Sequence, residues 1–302
     1  MEEYVRDALT YAARQRGNGR PADYMPEMKA DPKLLGISVT GCDGSVCSLG
    51  DCEVLFPIQS VVKTVILAAA LEDAGLERLS RVVGFEPTGE PFNSVRRHED
   101  AAQKPSNPMI NAGTFAAISV IPGDREEKYN RILNLLKQFA ADDTLAHDPD
   151  IYAGEHRTGN RNRALAYLLL AGGIIHEDPA DILDVHFKTS AVLVHCIHLG
   201  RIGAALANDG VNPVSRRRVI SAENAQIVRT VMATCGMYNE AGTFAVRAGV
   251  PAKSGVSGDI MASVRNQVGI GAYSPELDKC GNSVCAMAAI QRLSKTLSLG
   301  IY

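Results

Sequence analysis

The chain has 302 residues, 46% of them hydrophobic and 22% charged, with a formal net charge of -3. This is the make-up of an ordinary globular protein, long enough for one large domain or two packed together. A near-neutral chain without a basic block argues against a nucleic-acid partner, and no apolar run reaches the roughly 18 residues a membrane helix needs.

The first residues, Met1-Glu2-Glu3-Tyr4-Val5-Arg6, are acidic and lack the apolar core of a signal peptide. Residues 3–16 have the period of an amphipathic helix, with Tyr4, Val5, Ala8, Leu9 and Ala12 on one face. Gly17-Asn18-Gly19 ends it, and an extended loop follows through Tyr24 to Pro26. Residues 35–40 alternate as a strand, Gly41-Cys42-Asp43-Gly44 is a turn, and residues 45–49 return as a second strand.

The hairpin leads into Phe56-Pro57-Ile58-Gln59-Ser60-Val61-Val62-Lys63-Thr64, which opens an apolar helix running to Leu71. Ser60 falls in its first turn, and Lys63, three residues on, returns to the same face. A serine hydroxyl becomes a nucleophile when a base takes its proton, and a neutral lysine one turn away can be that base. The free N–H groups and partial positive charge of a helix start suit an oxyanion. A chain this long contains Ser-x-x-Lys by chance about once. Here it occurs once, and its lysine interrupts an apolar run, where an unpaired charge is rarely buried without a task.

From residue 62 to about residue 235 the pattern is mostly helical, with helices over 129–141, 162–171, one or two over 181–209, and 221–232. Gly210-Val211-Asn212-Pro213 is a firm stop. Two polar, turn-rich stretches, 104–113 and 154–162, read as loops between helices, where binding residues often lie. Towards the C-terminus, 243–250, 259–264 and 269–273 read as strands, and 283–297 as a closing helix. Strands at both ends and helices between them predict an α+β chain. Its antiparallel sheet is built from both termini, residues 1–62 and 236–302, with residues 63–235 as an inserted helical lobe and the site in the cleft between them.

The seven cysteines are odd in number in a large chain without an export signal, so free thiols in a reducing cytoplasm are expected. Cys42, Cys47 and Cys52 do not follow a zinc spacing. His195 and His198 are three apart on a helix with no evident third ligand, and His98, His147, His156, His176, Asp100 and Asp178 carry no assignment. No metal or other cofactor is expected.

Ser60-x-x-Lys63 early and Lys253-Ser254-Gly255 on a late strand together resemble the β-lactamase and penicillin-binding fold, whose signatures are S-x-x-K and K-T-G. Asn107-Pro108-Met109-Ile110-Asn111-Ala112-Gly113, Leu206-Ala207-Asn208-Asp209-Gly210-Val211-Asn212-Pro213, Gly236-Met237-Tyr238 and Pro251-Ala252-Lys253-Ser254-Gly255-Val256 narrow this. With the Ser60 stretch, they resemble the serine-dependent glutaminases from about Tyr24 to the last helix. The resemblance implies hydrolysis of L-glutamine to L-glutamate and ammonia, with a homodimer or homotetramer as the assembly. It implies Ser60 as nucleophile, Lys63 as its base, kept neutral by burial and the nearby Lys253 charge, and Tyr238 as proton relay. The backbone N–H groups of Ser60 and Val256 match the oxyanion hole. Glu155 matches the carboxylate for the α-ammonium group, Asn111 and Asn162 the amides that orient the amino acid, and Tyr24 a pocket wall.

The sequence departs from the family where His186 replaces a substrate-contacting tyrosine: the shorter side chain can still donate a hydrogen bond, and altered affinity or an added titration near neutral pH is expected, with the reaction kept. Thr189 stands where cysteine is usual, and Asp259 where glycine is usual. Two competing readings are a related serine hydrolase acting on peptides or β-lactams and a non-catalytic amino-acid sensor. The first normally acts outside the cytoplasm, and the second needs no nucleophile.

Overall fold

A computed structural model of the chain describes residues 1–88 and 103–301. His98 and Asp100 lie outside the described residues. Among those described, an N-terminal helix, α1 (Glu2–Ala13), precedes the hairpin of β1 (Gly36–Gly41) and β2 (Val46–Gly50). The predicted turn carries it: Gly44 takes φ +91°, and Asp43 accepts hydrogen bonds from the Ser45 N–H and hydroxyl.

The hairpin does not lead straight into the helix that follows Ser60. A two-residue strand, β3 (Phe56–Pro57), comes first and pairs with β4 (Leu193–Val194). Then follow α2 (Val62–Val82), broken at Gly75, α3 (Asn111–Val120), α4 (Arg125–Ala140), α5 (Pro149–Thr158), α6 (Asn160–Ala171) and α7 (Pro179–Ser190). After β4 come α8 (Cys196–Ala207), α9 (Ala222–Cys235) and α10 (Ala241–Ala248). β5 (Ala252–Ser254), β6 (Asp259–Val264), β7 (Val268–Tyr273) and α11 (Val284–Leu297) complete the chain.

The expected sheet from both termini is present: five antiparallel strands in the order β2-β1-β7-β6-β5. Ile37 and Val39 of β1, Ile260 and Ala262 of β6, and Ile270 and Ala272 of β7 join Val5, Ala8 and Ala12 of α1 and Ala289, Ile290 and Leu293 of α11 in one core. The opposite face is small or polar at Ser38, Thr40, Gly269 and Gly271, and α8 lies against it. A second core gathers α2 to α9 around Val65, Ile66, Phe115, Leu136 and Phe187.

Three local expectations are overturned. Residues 243–250 form no strand. Residues 243–248 belong to α10, whose Ala241, Phe244 and Ala248 are buried at helical spacing and whose end is set by Gly249 at φ +65°. The stretch 154–162 is not a loop but the end of α5 and the start of α6, joined at Gly159. Its helix begins earlier, where the Asp148 carboxylate caps the N–H groups of Asp150 and Ile151 and Pro149 takes the first helical position. Likewise Asn111 to Gly113, read as loop, open α3.

Candidate active site

Ser60 does not sit in the α-helix proper. It lies in a single 3-10 turn, Gln59–Val61, that feeds α2. Gln59 carries the strain of that entry, with φ +44° in the left-handed region that a non-glycine residue seldom adopts. The turn is anchored from both sides: the Ile58 N–H donates to the Val192 carbonyl, and the Ser257 hydroxyl bonds to the Pro57 carbonyl at 2.7 Å.

One turn on, the Lys63 Nζ is hydrogen-bonded to the Ser60 Oγ at 2.7 Å. Lys63 is buried, and burial brings its pKa down to about 7 against the opposing pull of the Glu155 carboxylate. The Lys63–Lys253 repulsion acts within the same buried pair: Lys253 is itself held well below the usual lysine range, by burial and then by the Lys63 charge.

Tyr238 stands in another 3-10 turn, again with positive φ, +51°. Its hydroxyl faces those of Ser60 and Ser254, and burial pushes its pKa far up. The Lys253 Nζ lies 4.5 Å from the Tyr238 ring centre, over its face. Ser60, Lys63, Tyr238 and Lys253 thus form one group drawn from the 3-10 turn before α2, α2 itself, the turn after α9, and β5.

A cleft of about 320 Å³ opens above Ser60, at the small end of the range for ligand pockets. Seven further residues singled out in the sequence meet Ser60 or one another along its wall: Lys63, Tyr24, Asn111, Glu155, Asn162, His186 and Val256. The buried Glu155 carboxylate accepts a 2.8 Å bond from the Gln59 amide, and burial raises its pKa. The Asn111 amide donates to Asn162 Oδ1 at 2.8 Å, which fixes two wall residues relative to each other. Tyr24 is half exposed at the rim, with its hydroxyl 3.5 Å from Met28 Sδ.

His186 corrects another expectation. It lies buried in the wall, edge-on to Phe115 with ring centres 5.1 Å apart. Burial, followed by the Lys63 charge, drives its pKa down to about 3, so it is neutral at physiological pH and adds no titration there. Thr189 turns its hydroxyl back onto the Val185 and His186 carbonyls of its own helix. His195 and His198 cap the start of α8, with rings stacked 3.6 Å apart and His198 3.1 Å from Asp142.

Sequence reasoning assigned nothing to Gln59, Thr158, Arg161 or Ser190, which also line the cleft. Gln59 sits inside the Ser60 motif and Arg161 inside a polar stretch already noted, so position could have flagged both. Ser190 carries no such signal, because only the packing of α7 turns it towards Ser60.

An antiparallel sheet from both termini, a helical insertion, and a Ser-x-x-Lys at the mouth of a cleft define a protein of the β-lactamase-like fold. Within that class, a family model for glutaminase matches residues 19–302. Glutaminase 2 of Clostridium perfringens is 44% identical over 305 residues, spanning the whole of both chains. Among solved structures, a probable glutaminase, ybaS, superposes with a TM-score of 0.95 at 35% identity, covering 100% of this chain and 99% of its own. A probable glutaminase of Bacillus subtilis gives 0.93 at 33%, covering 100% and 97%. The chain belongs to the glutaminase family and is an amidohydrolase.

Proposed function

We propose that this glutaminase hydrolyses L-glutamine through a Ser60–Lys63–Tyr238 site. The observation that carries the reading is the 2.7 Å contact between Ser60 and a buried lysine whose pKa has fallen to about 7. Ser60 Oγ attacks the side-chain amide carbon while its proton passes to neutral Lys63. The tetrahedral oxyanion is held by the N–H groups of Ser60 and Val256. As the C–N bond breaks, Tyr238 relays the proton from Lys63 to the departing ammonia, leaving a glutamyl ester on Ser60. Water then attacks the ester, gives its proton to Lys63, and releases glutamate as Ser60 regains its own.

The cleft wall suits a free amino acid. Glu155 meets the α-ammonium group, and Asn111, Asn162, His186 and Tyr24 orient the head group. A site built to bond both ends rejects analogues that lack either. Lys253 supports the site from behind Tyr238. The lobe division at residues 62/63 and 235/236 puts this cleft at the seam. A cytoplasmic homodimer or homotetramer completes the reading. The seven unpaired cysteines favour a reducing compartment, and the assembly rests on family resemblance. Among the described residues, no helix is long and apolar enough to cross a membrane.

The test is ammonia release from L-glutamine, with asparagine as control. Ser60→Ala should lose about 10⁴-fold or more in kcat while still folding. Full turnover in that variant would sink the assignment. Because protonated Lys63 cannot accept the serine proton, kcat/KM should fall as pH drops below about 7.

A further inference from the structure

Asp259 stands three residues after Val256, and the structure gives its carboxyl unusual company. Asp259 is fully buried at the start of β6. Its Oδ1 lies 2.7 Å from Ser257 Oγ, and the same Ser257 Oγ lies 2.7 Å from the Pro57 carbonyl oxygen. Its Oδ2 meets no hydrogen-bond partner among the described residues, and no ion pair reaches it. Oδ1 also fills the space over Gly255, where a Cβ would come within 2.0 Å of it.

Counting protons along this chain decides its state. Three oxygens stand in two short contacts, and each contact needs one hydrogen. The Ser257 hydroxyl supplies one. It can serve the Pro57 carbonyl or Asp259, not both. If Asp259 is ionised, one contact is a bare approach of two lone pairs, and the second carboxylate oxygen is a buried anion without a donor. If Asp259 holds its proton on Oδ1, both contacts are satisfied in one direction: Asp259 donates to Ser257, and Ser257 donates to Pro57. Oδ2 is then a neutral carbonyl oxygen, far less costly to leave alone.

We propose that Asp259 is a positioning residue, kept as the neutral acid, which donates through Ser257 to the Pro57 carbonyl and so ties the turn carrying Val256 to the segment carrying Ser60. The two oxyanion N–H groups come from opposite sides of the cleft, and this chain of hydrogen bonds spans them. The link rests on reading Ser60 and Val256 as the oxyanion donors.

The surroundings favour the neutral form. Lys253 on β5, Tyr238 in its turn, Tyr273 on β7 and Cys196 on α8 are the titratable groups that face Asp259. Three are neutral, and Lys253 is itself held well below its usual range. Burial lifts the Asp259 pKa to about 7, opposed by the Ser257 hydroxyl, its own N–H and Lys253. The sign follows. As pH rises through that value the acid ionises, the chain loses a proton, and turnover falls. Lys63 supplies the rising limb and Asp259 the falling one, so activity should peak near neutrality.

Asp259→Asn keeps a donor to Ser257 and cannot ionise, whereas Asp259→Ala removes the donor. The alanine variant should lose about tenfold in kcat with KM nearly unchanged, the value of one net hydrogen bond. The asparagine variant should recover most of that loss, and its alkaline decline should vanish. Infrared difference spectra of the parent against Asp259→Asn should show a protonated-carboxyl stretch at about pH 5 that is gone by about pH 9. An alkaline limb that persists in Asp259→Asn, or no protonated carboxyl at the lower pH, would overturn the proposal. Full activity in Ser60→Ala would instead remove the catalytic reading, while the infrared result would still decide the proton.

Discussion

At the scale of residues, the site works by withholding charge. Lys63, Lys253 and His186 are the cations that sequence alone places at the cleft, and burial lowers the pKa of all three. This is what the proposed base, Lys63, needs, because only an uncharged amine can take a proton from serine. The same burial makes His186 a neutral wall residue. We therefore expect His186→Tyr to change KM for glutamine by a few-fold while the pH profile of kcat/KM stays put. A pH limb that moves in this variant would mean that His186 titrates after all. The sequence could name these residues, since each has a fixed place in a motif. It could not give their protonation, which depends on what α3 and α7 pack around them.

At the scale of elements, the legible parts were those with a clean period and a stop. The β1–β2 hairpin alternates and turns on Gly44, and α11 buries Cys285, Ile290 and Leu293 behind a Ser283 cap. The illegible part was α10, where Thr243, Phe244 and Val246 give a strand-like composition to eight residues. Only the fold shows Val246 in solvent and Phe244 inside. Equally invisible was why α8 can lie so close to the sheet. A Cβ on Gly203 would come within 2.3 Å of the Ala262 carbonyl, and one on Gly269 within 1.9 Å of the Ala204 nitrogen. Both clashes are with backbone, so neither can be relieved by a rotamer. Gly269→Ala should cost at least about 3 kcal/mol, read as a lower urea midpoint at unchanged slope. A loss under about 1 kcal/mol would mean that α8 slides freely on β7.

At the scale of the whole molecule, the site is a standing cost. A lysine whose pKa falls from 10.5 to about 7 on folding is a group that the unfolded chain protonates more readily. Between those values stability rises with pH, and at neutrality the protein bears nearly the full penalty. Lys63→Met should therefore melt several degrees higher than the parent at neutral pH and lose turnover together. The gap should narrow as pH approaches about 10. A variant that melts lower would show that Lys63 earns its place through packing rather than chemistry.

The order of the sheet has its own consequence for how the molecule comes to exist. β1 lies between β2 and β7, and Val39 pairs with Ile270, roughly 230 residues further along the chain. During synthesis the first hairpin must wait, with one edge open, while the whole helical region is made. Only when β7 arrives is that edge covered, and only with β5 does the turn bearing Val256 reach Ser60. Ribosome-bound chains that end before β5, which starts at Ala252 of 302 residues, should carry Ser60 and Lys63 yet turn over nothing, so activity should first emerge late in translation.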